Sequence, residues 1–232
     1  MPASRTPPPG APNGSPPRST TPWQLTTLET LRTNLPTARI TPYGSATEPS
    51  TLDGWSDLDV QIAADSPVDV ATALGSPIWT YQHIVESEHE VVRVVLADGR
   101  RADLTITGGP AVLPAAAADS EVRFDAALAA VRFGRGSDLI GLHLTLGILR
   151  QTLVQGMLRA DRDAGTTHHR HANPPDADAA GVLEILQSPL GPATAREAYL
   201  QYGRWRQRLD PAYAPDARGL DALIRRGTGA AS

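Results

Sequence analysis

The 232-residue chain has no cysteine. Disulfides, thiolate zinc sites and cysteine nucleophiles are therefore excluded. It has no lysine either, since all 21 basic residues are arginine. That removes a P-loop, which needs its lysine, and any lysine Schiff base or lysyl-nucleotide intermediate. A cationic side chain that meets a phosphate must be an arginine. A surplus of positive charge is also lacking: the formal net charge is −4 and the pI about 5.8. A broad basic surface for nucleic acid is not indicated. No apolar run reaches the length of a membrane span, and the start of the chain carries arginine and proline without an apolar segment. No membrane attachment and a cytoplasmic location are expected.

What is present is unevenly spread. Residues 1–118 hold 12 acids and 7 arginines, whereas 119–232 hold 13 acids and 14 arginines. The front half is the acidic one, which suits a metal site, a cationic acceptor or a solvated surface. Residues 1–22 contain 8 of the 21 prolines, with Ser, Thr and Gly filling most of the rest. Such a stretch has little apolar area to bury and is expected to be a disordered tail.

Order is expected from Trp23. Leu25, Leu28, Leu31 and Leu35 predict a short helix stopped by Pro36. Residues 38–43 read as a strand running into Gly44-Ser45. Asp57 to Ile62 alternates acid with apolar residues, the pattern of a two-faced strand. Val68 to Leu74 reads as a short helix. Glu90–Ala97 and Arg101–Thr107 flank Asp98-Gly99, and an Asp-Gly pair between β-branched runs is a hairpin signal. A two-residue turn there sets Val94 opposite Asp103. After Ala115–Ala118 the pattern turns helical, over 119–133, 137–162, 177–187, 192–209 and 216–226. The chain thus reads as α+β: a small mixed sheet domain over 23–115, then an all-helical domain over 116–228, with the active site expected in the cleft between them.

Three features carry the chemistry: Gly44-Ser45 at a strand end, Asp57-x-Asp59 twelve residues after the serine, and Asp103 on a later strand. Residues i and i+2 of a strand share a face, so Asp57 and Asp59 present two carboxylates side by side. A third carboxylate nearby completes a hard oxygen set that suits Mg²⁺, which takes oxygen ligands and bridges substrate phosphates. Two ions about 3.5–4 Å apart serve attacking and leaving oxygens in two-metal sites. Three like charges held close repel unless a cation joins them. Gly44 lets backbone approach a phosphate, and Ser45 adds a hydroxyl and an N–H.

Over roughly residues 38–107 the ordered set Tyr43-Gly44-Ser45, Ser56-Asp57-Leu58-Asp59-Val60 and Ala102-Asp103-Leu104 resembles the DNA polymerase β-like nucleotidyltransferase superfamily. The helical second half looks like its aminoglycoside- and lincosamide-modifying branch. The resemblance implies Mg²⁺-dependent transfer of a nucleotidyl group, with ATP as the default donor, to a small-molecule hydroxyl. It implies that Asp57, Asp59 and Asp103 hold the metals, that Asp103 helps deprotonate the acceptor, and that Gly44 and Ser45 touch the triphosphate. Many members carry a basic residue just after Gly-Ser; here Ala46-Thr47-Glu48 follows, so phosphate must be neutralised from elsewhere. Two alternatives stay open: an antitoxin-like protein adenylyltransferase with a toxin partner, and a nucleotide-binding scaffold without turnover.

Other residues are candidates of lower rank. Glu86, Glu88 and Glu90 alternate along the strand leading into the hairpin. In the predicted register they share a face with Asp103, and Glu90 is the candidate general base; charges that protect a sheet edge are the alternative. Arg170, between His168-His169 and His171, is a candidate phosphate contact, although a solvated loop explains it as well. Leu139, Leu142, His143, Leu146, Leu149, Leu153 and Met157 form an apolar helical stripe expected to face the core, His143 included. Arg150, Arg159 and Arg162 read as helix-surface ion-pair residues, and Tyr199, Tyr202 and Trp205 as core between helices.

Overall fold

The computed structural model describes residues 21–167 and 174–229. The expected tail therefore lies, except for Thr21 and Pro22, outside the described residues. So do Arg170 and the three histidines around it.

The chain forms a five-stranded mixed sheet followed by a helical region. α1 (Trp23–Asn34) leads to β1 (Arg39–Tyr43), a 3-10 turn (Gly44–Thr47) and β2 (Leu58–Ala64). The short β3 (Val68–Asp69) precedes α2 (Val70–Leu74), whose first turn is capped by Asp69 accepting from the Thr72 N–H at 2.9 Å. Then come β4 (Ile78–Val85), β5 (Glu90–Leu96), β6 (Arg101–Gly108) and the short β7 (Ala111–Val112), which pairs with β3. The sheet order is β1-β2-β6-β5-β4, with β2 and β6 parallel and the other neighbours antiparallel. The helices are α3 (Ser120–Gly134), α4 (Asp138–Ala164), α5 (Ala179–Gln187), α6 (Pro192–Leu209) and α7 (Arg218–Thr228). Each predicted helix of the second half appears within a few residues of its expected place. No helix among the described residues is long and apolar enough to cross a membrane.

Strand alternation divides the sheet into two unlike faces. Leu58, Val60, Ile62, Val92, Val94, Leu104 and Ile106 point to one face and are buried with Leu28 and Leu31 of α1 and with α2. The other face carries Asp59, Gln61, Asp103, Thr105 and Arg93. A second core joins α3, α4, α6 and α7 to Trp55, Trp79 and Val95. Val95 lies on the polar face of the sheet, opposite Arg101. The helices thus cover one end of that face and leave Arg93, Gln61 and Gln82 exposed beyond it.

Four sequence expectations need correction. The β5–β6 connection is a loop of three residues, 97–99, not two. Leu96 donates to the Arg100 carbonyl, and Gly99 takes a left-handed φ of +82° that favours glycine. The register moves by one, so Arg93, not Val94, lies opposite Asp103. Glu86 to His89 form the turn between β4 and β5 rather than a strand, closed by Glu86 N–H donating to the His89 carbonyl at 2.9 Å. The expected helix over 68–74 begins as β3 before it becomes α2. Only part of the α4 stripe faces the core: Leu149 is buried and Leu142 packs against the second core, alongside Gly141, Thr145, Ile148, Thr152, Gln155, Gly156 and Ala160, whereas His143 is exposed. A helix that packs on two neighbours at once needs small residues inward, and Leu139, Leu146, Leu153 and Met157 are left outside.

The helical region is tied to β4 by a buried polar knot. Asp119, at the start of α3, accepts hydrogen bonds from Tyr199 at 2.8 Å and Tyr213 at 2.6 Å through one carboxylate oxygen. Its other oxygen lies 2.7 Å from the Arg123 Nε, an ion pair off the ideal hydrogen-bond direction. Arg123 sits over the Trp79 ring and donates to the Trp79 carbonyl at 3.3 Å, and the Trp79 indole N–H donates to the Asp216 carbonyl at 2.8 Å. Burial and the Asp119 charge raise the Tyr199 hydroxyl far above its ordinary range, so it remains a donor. Asp119→Ala takes the acceptor from the Tyr213 hydroxyl and the buried counter-charge from Arg123, and leaves Tyr199 and Arg123 only the carbonyls of Asp216 and Trp79. It should lower the unfolding free energy by about 3–5 kcal/mol, read by urea denaturation. A loss under about 1 kcal/mol, the size of one ordinary hydrogen bond, would show that the knot does not join the layers.

Candidate active site

Parallel pairing of β2 with β6 sets Asp59 directly beside Asp103. Asp57, two residues before Asp59, lies at the entry to β2. One carboxylate oxygen from each of Asp57, Asp59 and Asp103 lies within 4.8 Å of the others. This is the one group of three or more potential ligands so placed among the described residues. All three residues are partly buried.

The loop before Asp57 is pinned. The Asp53 carboxylate accepts from the Trp55 N–H at 2.9 Å and from the Ser56 hydroxyl at 2.8 Å. Gln24 donates to the carbonyls of Asp53 and Ser56. Trp55 is buried against Gly134 of α3 and Gly227 of α7. The helical region therefore fixes where Asp57 stands.

Gly44 completes the corner. Tyr43 pairs with Asp59 across β1 and β2, and Gly44 follows with φ +61°. A Cβ there would meet Asp59 Oδ2 at 2.5 Å. Any larger residue would be strained and would push into the carboxylate. Ser45 is half-buried beside it in the 3-10 turn. The Gly-Ser pair and the three aspartates, read separately along the chain, thus stand together.

Two arginines that sequence reading passed over belong here. Arg101 Nη2 donates to Asp57 Oδ2 at 3.0 Å, and Arg93 Nε lies 3.5 Å from Asp103 Oδ2. Arg101 is almost fully buried, whereas Arg93 is exposed. The signal for Arg101 was in the sequence, since Arg101-x-Asp103 puts both on one strand face. Arg93 was hidden by the one-residue register difference in the hairpin.

Glu90 does not join the group. It lies opposite Ile106, on the sheet face away from Asp103. Its carboxylate is 2.7 Å from His83 Nε2 and accepts from the Ala111 N–H at 3.2 Å. The general-base role expected for it depended on the two-residue turn. Glu86 and Glu88 lie in the β4–β5 turn. Of the helix arginines, Arg159 lies 3.4 Å from Asp163 and Arg162 donates to the Leu209 carbonyl, as surface residues do.

The electrostatics suit a cation. Burial, and then the charges of Asp57 and Asp103, push the Asp59 carboxyl up to about 6 against the pull of Arg101. Burial and Asp57 likewise raise Asp103 above the usual carboxylate range, opposed by Arg101 and Arg93. Three close carboxylates with two still strained despite two arginines form a donor set that fits Mg²⁺.

No family model matches the chain, and no curated protein matches it at a significant level. Two solved structures show a distant likeness. One is a cytoplasmic RNA terminal U-transferase, 11% identical, covering 60% of this chain and 40% of that one at a TM-score of 0.26. The other is the polymerase core of TRAMP, an RNA surveillance complex, 14% identical, covering 90% and 57% at a TM-score of 0.28. The chain spans about half the length of these two. Scores this low leave the reading of the site to its own geometry.

The raised Asp59 carboxyl has a consequence for stability. Its folded value of about 6 lies above the unfolded value of 3.8, so the folded state holds this proton more tightly. The cost of ionising it is fully present above pH 6 and is relieved as pH falls toward 4. Asp59→Asn should raise the unfolding free energy of the metal-free protein at neutral pH by about 1–2 kcal/mol, a value discounted for partial exposure. The gain should vanish near pH 4. Mg²⁺ should raise the melting temperature of the wild type and leave the variant unmoved. A variant less stable than wild type at neutral pH would mean that the carboxylates are not strained.

Proposed function

We propose that the chain is a Mg²⁺-dependent nucleotidyltransferase, moving a nucleotidyl group, by default adenylyl from ATP, onto a hydroxyl. The observation that carries this reading is the convergence of Asp57, Asp59 and Asp103 on one sheet face against the backbone of Gly44. Asp57 and Asp59 would hold metal next to the triphosphate, and Asp103 would complete the set on the acceptor side. Mg²⁺ bound there supplies charge neutralisation at the phosphates and a more acidic acceptor hydroxyl. The acceptor oxygen attacks the α-phosphorus, the bond to the bridging oxygen of the β-phosphate breaks, and pyrophosphate leaves. Asp103 would help take the hydroxyl proton, a reading supported by its partial burial and raised carboxyl.

Gly44 and Ser45 offer close backbone and a hydroxyl to the triphosphate. Arg101 and Arg93 supply the cationic groups missing after Ser45. With a cation held by Asp57 and Asp103, which now face Arg101 and Arg93, these two guanidinium groups would be the ones to meet phosphate oxygens. A small-molecule hydroxyl is the acceptor we put first. A second reading has its own observation: Arg39, Tyr43 and Arg93 are exposed on the triad's side of the sheet. Cations and a ring placed so would also suit the end of a single-stranded nucleic acid.

The test is pyrophosphate release with Mg²⁺ and each of the four ribonucleoside triphosphates. The acceptors are an aminoglycoside and lincosamide panel and a short RNA. Acceptor-dependent release should fall about 10²–10³-fold in Asp59→Asn, the range seen when one group that stabilises transition-state charge is removed. Glu90→Gln should retain near wild-type activity, because Glu90 lies on the other face. If the wild type binds nucleotide yet never exceeds Asp59→Asn with any acceptor, the enzymatic reading falls and the scaffold reading replaces it.

A further inference from the structure

α5 and α6 are joined by the short connection 188–191 and form a helical hairpin. They run antiparallel, and α5 packs chiefly on α6. Between them lies a cleft of about 370 Å³. That volume falls within the range of small-molecule sites. Among the described residues its lining comes entirely from α5, α6 and their connection, so it is separate from the aspartate triad.

The floor of the cleft holds an unmet donor. Gln201 is only 8% exposed. Its carbonyl oxygen accepts from Arg204 through Nε at 3.0 Å and also through Nη2. Its amide nitrogen has no hydrogen-bond partner among the described residues and faces Gly181, where a Cβ would stand 3.4 Å from it. A side chain at 181 would cover this N–H, and glycine leaves it open. Arg204 pairs with no carboxylate among the described residues, so its Nη1 is a second donor without an acceptor at this end of the cleft. A buried donor left unmet is costly, and two donors, one of them charged, suit a carboxylate.

The middle of the cleft has the opposite sign. The approach of Gly181 to Gln201 fixes the register of the hairpin. Glu184, about one turn along α5, then comes level with Glu197, about one turn back along α6. Glu184 has no cationic partner among the described residues. Glu197 has Arg196 at 3.2 Å, but Asp221 also holds that arginine, at 2.6 Å. Carboxylates that face each other across a groove draw a cation. From Glu197 to Gln201 the helix rises about 6 Å. Ile185 and Pro189 add apolar surface to the wall.

We propose that the α5–α6 cleft binds a small zwitterion of the ω-amino acid kind. Its carboxylate meets the Gln201 amide and Arg204, and its ammonium lies between Glu184 and Glu197. A simple amine or a simple carboxylate would leave one end of the cleft unmet. The separation of the two ends favours an amine set several methylenes from the carboxylate over an α-amino acid, whose charged groups share one carbon.

The test is isothermal titration calorimetry of the full chain without Mg²⁺ or nucleotide, so that the outcome does not depend on the triad. The probes are glycine, β-alanine, γ-aminobutyrate and δ-aminovalerate, with butyrate and butylamine as controls. γ-Aminobutyrate or δ-aminovalerate should bind at least about tenfold more tightly than glycine, butyrate or butylamine. Glu184→Gln and Arg204→Gln should each weaken that binding at least about tenfold. Both residues are exposed, so the helical signal and melting temperature of the variants should hold. The proposal is overturned if no ω-amino acid binds, if butylamine binds as tightly as γ-aminobutyrate, or if either variant binds as tightly as the wild type.

Discussion

Two carboxylates, Asp59 and Asp103, are held side by side because β2 and β6 run parallel in one register. Left to themselves the charges would part. They cannot, because the same two strands bury Leu58, Val60, Ile62, Leu104 and Ile106 on the opposite face. Burying each such side chain is worth about 1.5–3 kcal/mol. The repulsion among the aspartates is therefore small beside what clamps the strands, and it is expressed as a raised carboxyl rather than as a distorted sheet. The β1–β2 pairing then brings Gly44 to Asp59, and the β5–β6 register brings Arg93 to Asp103.

The helical region does more than cover the sheet. Trp55 is locked between α3 and α7, and the loop that carries it delivers Asp57 to the other two aspartates. Trp79, released from the regular β4 pairing by an irregularity between Ile78 and Thr80, reaches the Asp119 knot. The acidic site thus depends on contacts made by residues far along the chain. An α7 that docks correctly is a condition for a well-placed Asp57.

α4 shows the opposite economy. Its inner face mixes Leu142, Leu144, Ile148 and Leu149 with Gly141, Gly156 and Ala160, which let α3 and α6 come close, and further leucines stand outside.

Alternation and spacing alone made much of this legible. The α+β class, the five helices after residue 118, the strand bearing Asp57 and Asp59 and the candidacy of Asp103 follow from periods of 2 and 3.6 and from local turn signals, which are properties of neighbouring residues. Tertiary structure decided what neighbours cannot encode. A three-residue loop closed by Gly99 in place of a two-residue turn moved the β5 register by one. That single step brought Arg93 to Asp103 and sent Glu90 to the other face. Which side of α4 is buried depended on two helices that must both approach it, so Leu142 and Leu149 of the expected stripe went inward and the rest, His143 included, stayed outside. The carboxylate triad itself was implied by residue type and order, but its closure to within 4.8 Å required β6 to lie beside β2, a long-range pairing that no local pattern specifies.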